Sequence, residues 1–582
     1  MRSAVTAVAA SLVLGLGLWA LSWYFGRMGG IADYPSVLRF EVPFLVALFL
    51  GLTFLLRPGP WRAVIAAAPI VAFYLATDLH YVLLRNVLKL DDILLIPEAL
   101  SVASDWVPIA MGIAITAWLG AFLYYLKRGG RELIAPLALL SLVAVLPATA
   151  YVVPGRFLET AQRAGFSVIE WSDRYTSAVM GRSASLLLFA ASRQKALDEL
   201  AHQPILSDPG RDPDLIDDLL QTGRNVHILV LESLLDPVRF SALDFGSPTE
   251  PARFDKLRQS MRVVKAPVFG GGTAQVEFEV LCGAPSLELY SSAEFNMMSG
   301  EPTPCLPTLL ADAGYRTIAT QPYKPDFFNS EKAYKSLGFQ EINYPTVYAG
   351  TRDTYLQYEL EDSYIFDGDL FEQNLAYVKQ QIAAGQPLLN YVLGIYGHLP
   401  HEIDVSRHPD AVEIEGLDPD SQAYRAIQQF YYRAGALADH VLALREIDPD
   451  GLILVTSDHL PPLDAGLVTY DALGYELGEQ GEYYENIWFF DGPAVSDRTW
   501  PDRQYEFMDF ILDALTDGRY CIHAQCKNRV EWETAELTAS YRQLIALGAG
   551  AARSVESGSS AAPSPSPVTV STSPPGTLKP GT

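Results

Sequence analysis

Three short apolar stretches of the sequence end on side chains that are able to bind a metal ion. The stretch "NVHILVLES" delivers Glu232, "LILVTSDH" delivers Asp458 and His459, and "LLNYVLGIYGHLPH" delivers His398, with His401 just beyond. Open α/β sheets place ligands beyond the carboxyl ends of their strands, so three such strands would bring these side chains to one edge. Each residue alone is more often a loop residue or a helix cap, but the combination favours a functional site. Carboxylate oxygens mixed with imidazole suit Mn²⁺, Mg²⁺ or Zn²⁺.

A candidate nucleophile follows a run of glycines in "VFGGGTAQVEFEVLCGAP", residues 268–285. Helical spacing begins after the glycines, so Thr273 is expected at the start of a helix, where backbone N–H groups favour an anion. A hydroxyl is a weak nucleophile at neutral pH, and a nearby metal is one way to activate it. The alternative is that Thr273 only caps the helix.

The pattern between residues 225 and about 530 alternates buried strands with helices, which predicts an α/β domain with a mostly parallel sheet. "VHILVLE", "YRTIAT", "LLNYVLGIYGH" and "LILVTSDH" are the strands, and residues 423–447 are a strong helix. Residues 154–220 are expected to be helical and amphipathic, with 182–200 the clearest case, and to connect the membrane block to this domain. The Ser/Pro-rich end, 554–582, predicts a disordered tail.

The front of the chain predicts a membrane block. Although the net charge of the sequence is −26, 49% of its residues are hydrophobic, which indicates an apolar part joined to an acidic, soluble part. Five apolar stretches, at 3–26, 38–56, 61–79, 106–126 and 133–153, are candidates for spans of roughly 20 residues. Positive charges fall on one side of the five predicted spans, and the positive-inside rule makes that side cytoplasmic: Arg2, Arg57, Arg62, Lys127, Arg128 and Arg131. Residues after about 154 are then outside the cytoplasmic membrane.

The charge balance and the cysteines indicate the type of partner and the cellular compartment. No basic stripe is present to meet phosphates, which argues against a nucleic-acid partner. All four cysteines, Cys282, Cys305, Cys521 and Cys526, lie in the predicted external part, which fits an oxidising compartment. Pairing the first with the second and the third with the fourth is the simplest of three connectivities, and free thiols are the alternative.

Several motifs together resemble the lipoteichoic acid synthase and phosphoglycerol transferase branch of the sulfatase-like, alkaline-phosphatase-type superfamily. They are "NVHILVLES", "GGGTAQVEFEVLCG", "PDFFNSEKAYKSLGF", "YGHLPH" and "TSDHLP", in the family's order and after a five-span block. The resemblance covers about residues 1–530 and implies a sulfatase-like fold for the external domain.

The resemblance implies a role for each matching residue. Glu232, Thr273, Asp458 and His459 match the metal-binding set, and the metal is typically Mn²⁺ or Mg²⁺. Thr273 also matches the nucleophile that takes a phosphoglycerol group from phosphatidylglycerol and forms a phospho-threonine, with diacylglycerol leaving. His398 matches the histidine that contacts this group and helps proton transfer.

One position departs from the family. In "PDFFNSEKAYKSLGF" the family commonly has an arginine where this chain has Ser330, so the donor headgroup and its recognition are left open. Lys332 or Lys324 is a candidate for the missing charge, although a lysine lacks the bidentate geometry of arginine. Phe328 and His401 complete the predicted substrate-binding set, with a core position as the alternative for Phe328.

The resulting expectation has four parts along the chain: a five-helix transmembrane domain (1–153), an amphipathic helical linker (154–222), a sulfatase-like catalytic domain (223–535), and a helix end with the Ser/Pro-rich tail (536–582). The expected activity is metal-dependent transfer of phosphoglycerol from phosphatidylglycerol to a periplasmic glycan or a glycerol-phosphate polymer. The alternatives are a phosphoethanolamine transferase, a phosphodiester hydrolase or sulfatase, and a membrane sensor or scaffold without catalysis. Thr273 has no C/S-x-P-x-R context, which argues against a sulfatase.

Overall fold

The computed structural model of the chain describes residues 2–102, 106–169, 172–200, 218, 221–286, 294–358, 364–478, 484–492, 500–524, 535–548 and 550. The predicted tail, Cys526 and most of 201–220 lie outside these residues. Ten helices are described before the sheet: α1 Arg2–Arg27, α2 Val37–Phe40, α3 Val42–Leu55, α4 Arg62–Leu84, α5 Ile96–Val102, α6 Trp106–Tyr125, α7 Ile134–Val152, α8 Pro154–Arg163, α9 Asp173–Met180 and α10 Arg182–Leu200.

The second half of the described chain alternates strands and helices. The strands are β1 Val226–Leu231, β2 Asp244–Phe245, β3 Arg262–Ala266, β4 Arg316–Thr320, β5 Glu341–Asn343, β6 Leu388–Gly394, β7 Ile414–Glu415, β8 Leu452–Ser457 and β9 Tyr484–Asp491. The helices are α11 Asp255–Ser260, α12 Thr273–Cys282, α13 Glu294–Met297, α14 Leu306–Asp312, α15 Ser330–Leu337, α16 Thr346–Ala349, α17 Asp367–Ala383, α18 Gln422–Ile447, α19 Leu467–Ala472, α20 Phe507–Leu515, α21 Arg519–Ala524 and α22 Ala535–Gly548.

A seven-stranded sheet forms the centre of this half, in the order β3-β9-β8-β1-β6-β4-β5. The five strands from β8 to β5 are parallel, and β9 runs antiparallel to both β8 and β3. The predicted mostly parallel α/β sheet is therefore confirmed. Strand β1 is buried along its whole length because helices cover both faces of the sheet.

The alternation of side chains along β1 explains the two cores of the sheet. Ile228 and Val230 pack on the face that carries α12 and α20, whereas Leu229 and Leu231 pack on the face that carries α17 and α18. A run of apolar residues with no polar alternation is what a strand covered on both faces requires.

Helices occupy all five stretches that the sequence marks as membrane spans. Three of the described helical segments are long and apolar enough to cross a membrane: Arg62–Leu84, Trp106–Tyr125 and Arg131–Val152. The apolar helix Val42–Leu55 is shorter, with 14 residues. Membrane anchoring is thus supported, while the count of five spans stays a prediction.

The predicted helix at 182–200 is present as α10, but its role differs from the expectation. It packs against α7, α8 and α9 and against α22, so its apolar side chains are spread around the helix. The clear separation of polar and apolar faces belongs instead to α8, directly after α7. The amphipathic element of the linker is therefore α8.

A disulfide joins Cys282, at the end of α12, to Cys305, which precedes α14. Both sulfurs are fully buried in the core beside the sheet. Cys521 is disulfide-bonded as well. The first bridge fixes the far end of the helix that begins with Thr273.

Replacing Cys282 and Cys305 together with alanine is expected to destabilise the sheet domain by about 3 kcal/mol, because the unfolded chain regains the freedom of the loop that a bridge across 23 residues removes. The shift in denaturation midpoint, followed by tryptophan fluorescence, measures the loss. Equal midpoints for the two proteins would contradict it.

Candidate metal and nucleophile site

Thr273 is the first residue of α12, and the glycines before it shape the approach of the chain. Gly270 and Gly272 have φ of +75° and +100°, in the left-handed region that glycine tolerates best. Gly272 caps the helix, so the turn directs the first N–H groups of α12 toward the same edge of the sheet as the Thr273 hydroxyl. A negatively charged group at this helix start is favoured by the helix dipole.

The register of the parallel strands sets the two carboxylates beside each other. Leu231 of β1 lies opposite Ser457 of β8, so the next residues, Glu232 and Asp458, leave the sheet side by side. The amide of Ser233 donates to Asp458 Oδ1 at 2.7 Å, and the Ser233 hydroxyl donates to Glu232 Oε1 at 2.8 Å. Neighbouring strand ends therefore hold both carboxylates in fixed orientations.

The Thr273 hydroxyl lies between these carboxylates. Its oxygen is 2.8 Å from Glu232 Oε2 and 2.8 Å from Asp458 Oδ2. His459 closes the cluster, with Nε2 at 3.5 Å from Thr273 Oγ1 and 3.2 Å from Asp458 Oδ2. Glu232, Asp458 and His459 are all buried, and one ligand atom from each lies within 4.8 Å of the others. The structure thus brings together four of the residues that the sequence marks for metal binding.

The cluster has more hydrogen-bond acceptors than it has protons to donate to them. One hydroxyl carries a single proton and donates to only one carboxylate at a time, although both are at 2.8 Å. His459 Nδ1 lies 3.1 Å from the carbonyl oxygen of Leu460, which places its N–H there and leaves Nε2 as an acceptor facing the carboxylates. Two carboxylates, a hydroxyl and an imidazole nitrogen form a donor set that fits a divalent cation.

The pKa values of the two carboxyl groups are pushed apart. Burial and the charge of Glu232 raise the pKa of Asp458 well above its usual value. Burial also opposes ionisation of Glu232, but the charges that His459 and His398 carry when protonated, together with the hydroxyls of Ser233 and Thr273, outweigh it and lower the pKa of Glu232. Two close carboxylates in a buried site share one proton unless a cation compensates their charge.

The two predicted histidines on the β6 loop have different surroundings. His398 is half-buried, its Nδ1 lies 3.2 Å from the Tyr364 hydroxyl, and its charge lowers the pKa of Glu232. His401 is fully buried, with Nδ1 at 3.1 Å from Gln429 Oε1, and burial lowers its pKa to about 3. His398 therefore borders the cluster, whereas His401 is a neutral ring packed behind it.

The residues predicted to hold a headgroup are placed less favourably. Ser330 is 3% exposed, and its hydroxyl bonds the carbonyl of Pro325 at 3.0 Å and lies 3.3 Å from the Tyr344 hydroxyl. A contact between Ser330 and a substrate would require these bonds to break. Lys332 is exposed on α15, and Phe328 is half-buried against Phe327.

Glu277 is a buried acid near the cluster that the sequence reasoning missed. It lies one helical turn after Thr273 on α12, and the hydroxyls of Tyr334 and Tyr391 donate to its Oε1 at 2.5 and 2.7 Å. Burial raises its pKa to about 7, the two hydroxyls lower it, and the charges of Asp458 and Glu232 raise it further. The i, i+4 spacing to Thr273 was the signal that could have revealed it.

Comparison with known families assigns the domain that carries this site. Residues 224–491 match the sequence pattern of the family described as Sulfatase. These residues form a sulfatase-family domain. The chain therefore contains a sulfatase-family domain, which agrees with the resemblance seen in the motifs.

One relative and two solved structures show how far the likeness extends. A putative cyclic beta-1,2-glucan modification protein of Rhizobium meliloti (strain 1021) is 28% identical over 269 residues, which are 44% of this chain and only 38% of that protein. The lipoteichoic acid synthase LtaP of Listeria monocytogenes is 17% identical, with a TM-score of 0.41, over 55% of this chain and 78% of that one. The Streptococcus pyogenes phosphoglycerol transferase GacH, solved with sn-glycerol-1-phosphate, is 16% identical, with a TM-score of 0.44, over 61% and 92%.

The sulfatase-family domain packs directly against the end of helix α4. A Cβ added to Gly270 would lie 2.6 Å from the carbonyl oxygen of Leu83, and one added to Gly466 would lie 2.5 Å from that of Val82. Only glycine permits such a close approach of two backbones. The loop that leads to Thr273 is therefore seated on the last turn of a membrane-length helix.

The affinity for Mn²⁺ tests whether the cluster binds a metal ion. Asp458→Asn is expected to weaken binding of Mn²⁺ by on the order of 100-fold, because loss of a direct ligand should cost at least what loss of its supporting partners costs. Isothermal titration calorimetry of the purified chain measures the affinity. Asp450→Asn, which removes an exposed turn carboxylate, is the matched control. Equal affinities for the two variants would rule out Asp458 as a ligand.

Gly466→Ala is expected to loosen the contact with α4, because the new methyl would be 2.5 Å from the Val82 carbonyl oxygen. Hydrogen exchange of residues 80–84 measures the loosening. Gly416 also has a positive φ, +76°, but has nothing within 4 Å of an added Cβ, so Gly416→Ala places an alanine at a positive φ without the contact. Identical hydrogen exchange at the end of α4 in both variants would argue against this contact.

Proposed function

We propose that the chain is a membrane-bound transferase that moves phosphoglycerol from phosphatidylglycerol to an extracytoplasmic glycan or glycerol-phosphate polymer through Thr273. The observation that carries the proposal is the Thr273 hydroxyl, held at 2.8 Å from two buried carboxylates at the start of α12. This arrangement supports attack on phosphorus, since it combines a nucleophile, a base and donors for the phosphate oxygens.

In the first step, Thr273 Oγ1 would bond to the phosphorus of the lipid while the bond from phosphorus to the diacylglycerol oxygen breaks. One of the two carboxylates beside Thr273 would take the hydroxyl proton, and protonated His398 would give a proton to the leaving diacylglycerol oxygen. The first N–H groups of α12 would face the equatorial phosphate oxygens. The product of the step is a glycerophosphate ester on Thr273.

In the second step, a hydroxyl of the acceptor would attack the same phosphorus, and the bond to Thr273 would break. Neutral His398 would take the acceptor's proton, and the carboxylate would return its proton to Thr273, so the residues end as they began. A divalent cation, for which we propose Mn²⁺ held by Glu232, Thr273, Asp458 and His459, would supply charge neutralisation at the phosphate and a lower pKa for the hydroxyl.

The seating on α4 supports a donor from the membrane. Gly270, three residues before Thr273, contacts the last turn of a helix that is long and apolar enough to span a bilayer. A lipid headgroup at the end of such a helix would be near the nucleophile. The positive-inside pattern of the front segments supports a multi-pass protein with this site on the periplasmic face.

The acceptor is proposed from the sequence relative. The Rhizobium meliloti protein bears the description of a putative cyclic beta-1,2-glucan modification protein. The match covers 44% of this chain and only 38% of that protein's length, so the relative's description supports a class of acceptor and no more. A glucan or similar glycan is therefore the acceptor class that we favour.

The reaction is tested by incubating the purified chain in detergent with Mn²⁺ and either phosphatidylglycerol or phosphatidylethanolamine. We expect diacylglycerol release from phosphatidylglycerol, together with the mass of a glycerophosphate group on the tryptic peptide that contains Thr273. Thr273→Ala should reduce release by at least about 1000-fold, since covalent catalysis needs the hydroxyl, and Thr273→Ser should retain part of it.

Other outcomes identify the alternatives. Release from phosphatidylethanolamine alone would indicate a phosphoethanolamine transferase. Cleavage of a soluble phosphodiester without diacylglycerol release from either lipid would indicate a hydrolase. No metal binding and no turnover would indicate a scaffold, and each of these results would replace the proposal.

A further inference from the structure

An apolar cavity of about 400 Å³ lies among the helices that precede the sulfatase-family domain. It is bounded by α2 and α3 on one side, the end of α7 and helix α8 on another, and the start of α10 on the third. Its walls are mainly aromatic and aliphatic, with Phe40, Phe44, Phe157, Phe166, Leu187 and Leu188 contributing. A cavity of this size is in the range of small-ligand sites.

The cavity lies where a membrane-length helix gives way to an amphipathic one. Helix α7 ends with Val152, after a long apolar run, and α8 begins two residues later. Tyr151 and Val152 are 64% and 74% exposed, as expected for side chains that face lipid near an interface. In the proposed multi-pass arrangement, an amphipathic helix at this point would lie along the membrane surface with its apolar face inward. The cavity would then be at the depth of the upper acyl chains.

Two arginines stand near the cavity without a carboxylate partner among the described residues. Arg156 lines it from the first turn of α8 and is exposed to solvent. Arg39 stacks over the ring of Phe40, one of the cavity walls, with its guanidinium 5.1 Å from the ring centre. The acid on the neighbouring turn, Glu159, faces Arg163 instead, at 3.6 Å. An apolar cavity with two guanidinium groups beside it is complementary to an acyl chain that carries an anionic headgroup.

We propose that this cavity binds one acyl chain of an anionic phospholipid, with the lipid phosphate beside Arg156 and Arg39. The proposal goes beyond the proposed transfer reaction, because it concerns a lipid site away from Thr273 and requires no turnover. Charge complementarity and the position at the end of α7 select this occupant over a peptide or a second copy of the chain.

Such a lipid would stabilise the packing of the helices around α4. Ser183, at the cavity wall, donates to Glu41 Oε1 at 2.8 Å, and the preceding Arg182 forms an ion pair with Asp78 of α4 at 2.6 Å. Arg182 also bonds Asp33 at 2.6 Å, so one buried guanidinium ties α10 to two other segments of the membrane block. A chain that fills the cavity would brace the start of α10 and, through Arg182, the helix on which the Thr273 loop is seated.

The test uses phosphatidylglycerol with a photoreactive diazirine near the end of one acyl chain, added to the full chain in phosphatidylcholine nanodiscs. Labelled peptides are mapped by mass spectrometry. We expect label on residues 154–166 and 182–190, and at least a fivefold loss of that label in Ala184→Trp, whose indole would fill the cavity. Ala148→Trp is the matched control, since Ala148 is an exposed residue of α7 that does not line the cavity.

The charge requirement is tested separately with Arg156→Gln, an exposed position at which the change should not impair folding. We expect the wild type to prefer the phosphatidylglycerol probe several-fold over a phosphatidylcholine probe with the same tail, and the variant to lose most of this preference. Equal label from both probes in the wild type would overturn the anionic assignment. Even labelling along all exposed membrane faces, unchanged in Ala184→Trp, would show annular lipid only and overturn the site.

The same labelling in Thr273→Ala protein separates this inference from the proposed reaction. We expect full labelling in that variant, because the cavity does not contain Thr273. Labelling that requires Thr273 would place the probe at the reaction site and refute a separate lipid site. Failure of diacylglycerol release with labelling intact would remove the proposed reaction and leave the lipid site standing.

Discussion

The single proton of the Thr273 hydroxyl, placed between two carboxylates, is the constraint from which the rest of the site follows. Two acceptors at 2.8 Å compete for it, and the facing nitrogen of His459 adds a third lone pair. Such a cluster is unfavourable in a buried place unless positive charge compensates it. The parallel register of β1 and β8 imposes this crowding, because it fixes Glu232 and Asp458 as neighbours whatever the loops around them do.

The hydrogen bonds and packing contacts around the cluster fix the orientation of its side chains. Ser233 and the backbone of His459 bond Asp458 Oδ1, which leaves Oδ2 for Thr273. The glycine loop seated on α4 sets the position of the helix start, and the disulfide at Cys282 fixes the other end of the same helix. Thr273 is thus held in place by the sheet edge, by helix α4 and by the core.

The sheet and the chemical identity of the cluster were predictable from the sequence, because both depend on local patterns. Unbroken apolar runs identify strands that are covered on both faces, and residues that end such strands meet at one edge. Thr273 was recognisable because glycines before a helical pattern mark a helix start. Glu232, Asp458 and His459 needed only the order of the strands and not their side-chain geometry.

The features that sequence patterns missed depend on contacts between distant segments. Ser330 resembles an exposed polar residue, yet Tyr344 and Pro325 enclose it. His401 follows His398 by three residues but turns inward to Gln429, with φ of +56°. The contact of Gly466 with Val82 joins positions far apart in the chain, and no periodicity records it. The placement of α10 against α7 and α8 likewise depends on packing that its own composition does not reveal.

The close contact between the glycine loop and α4 has a consequence for how this protein can be divided into fragments. Val82 and Leu83 belong to the last turn of α4, whose carbonyls have no partner inside the helix. A fragment that begins after the linker would leave that face of the loop open to water, with three consecutive glycines free to sample many conformations. A fragment that lacks the hydrophobic half would therefore lack the α4 contact that positions the loop before Thr273.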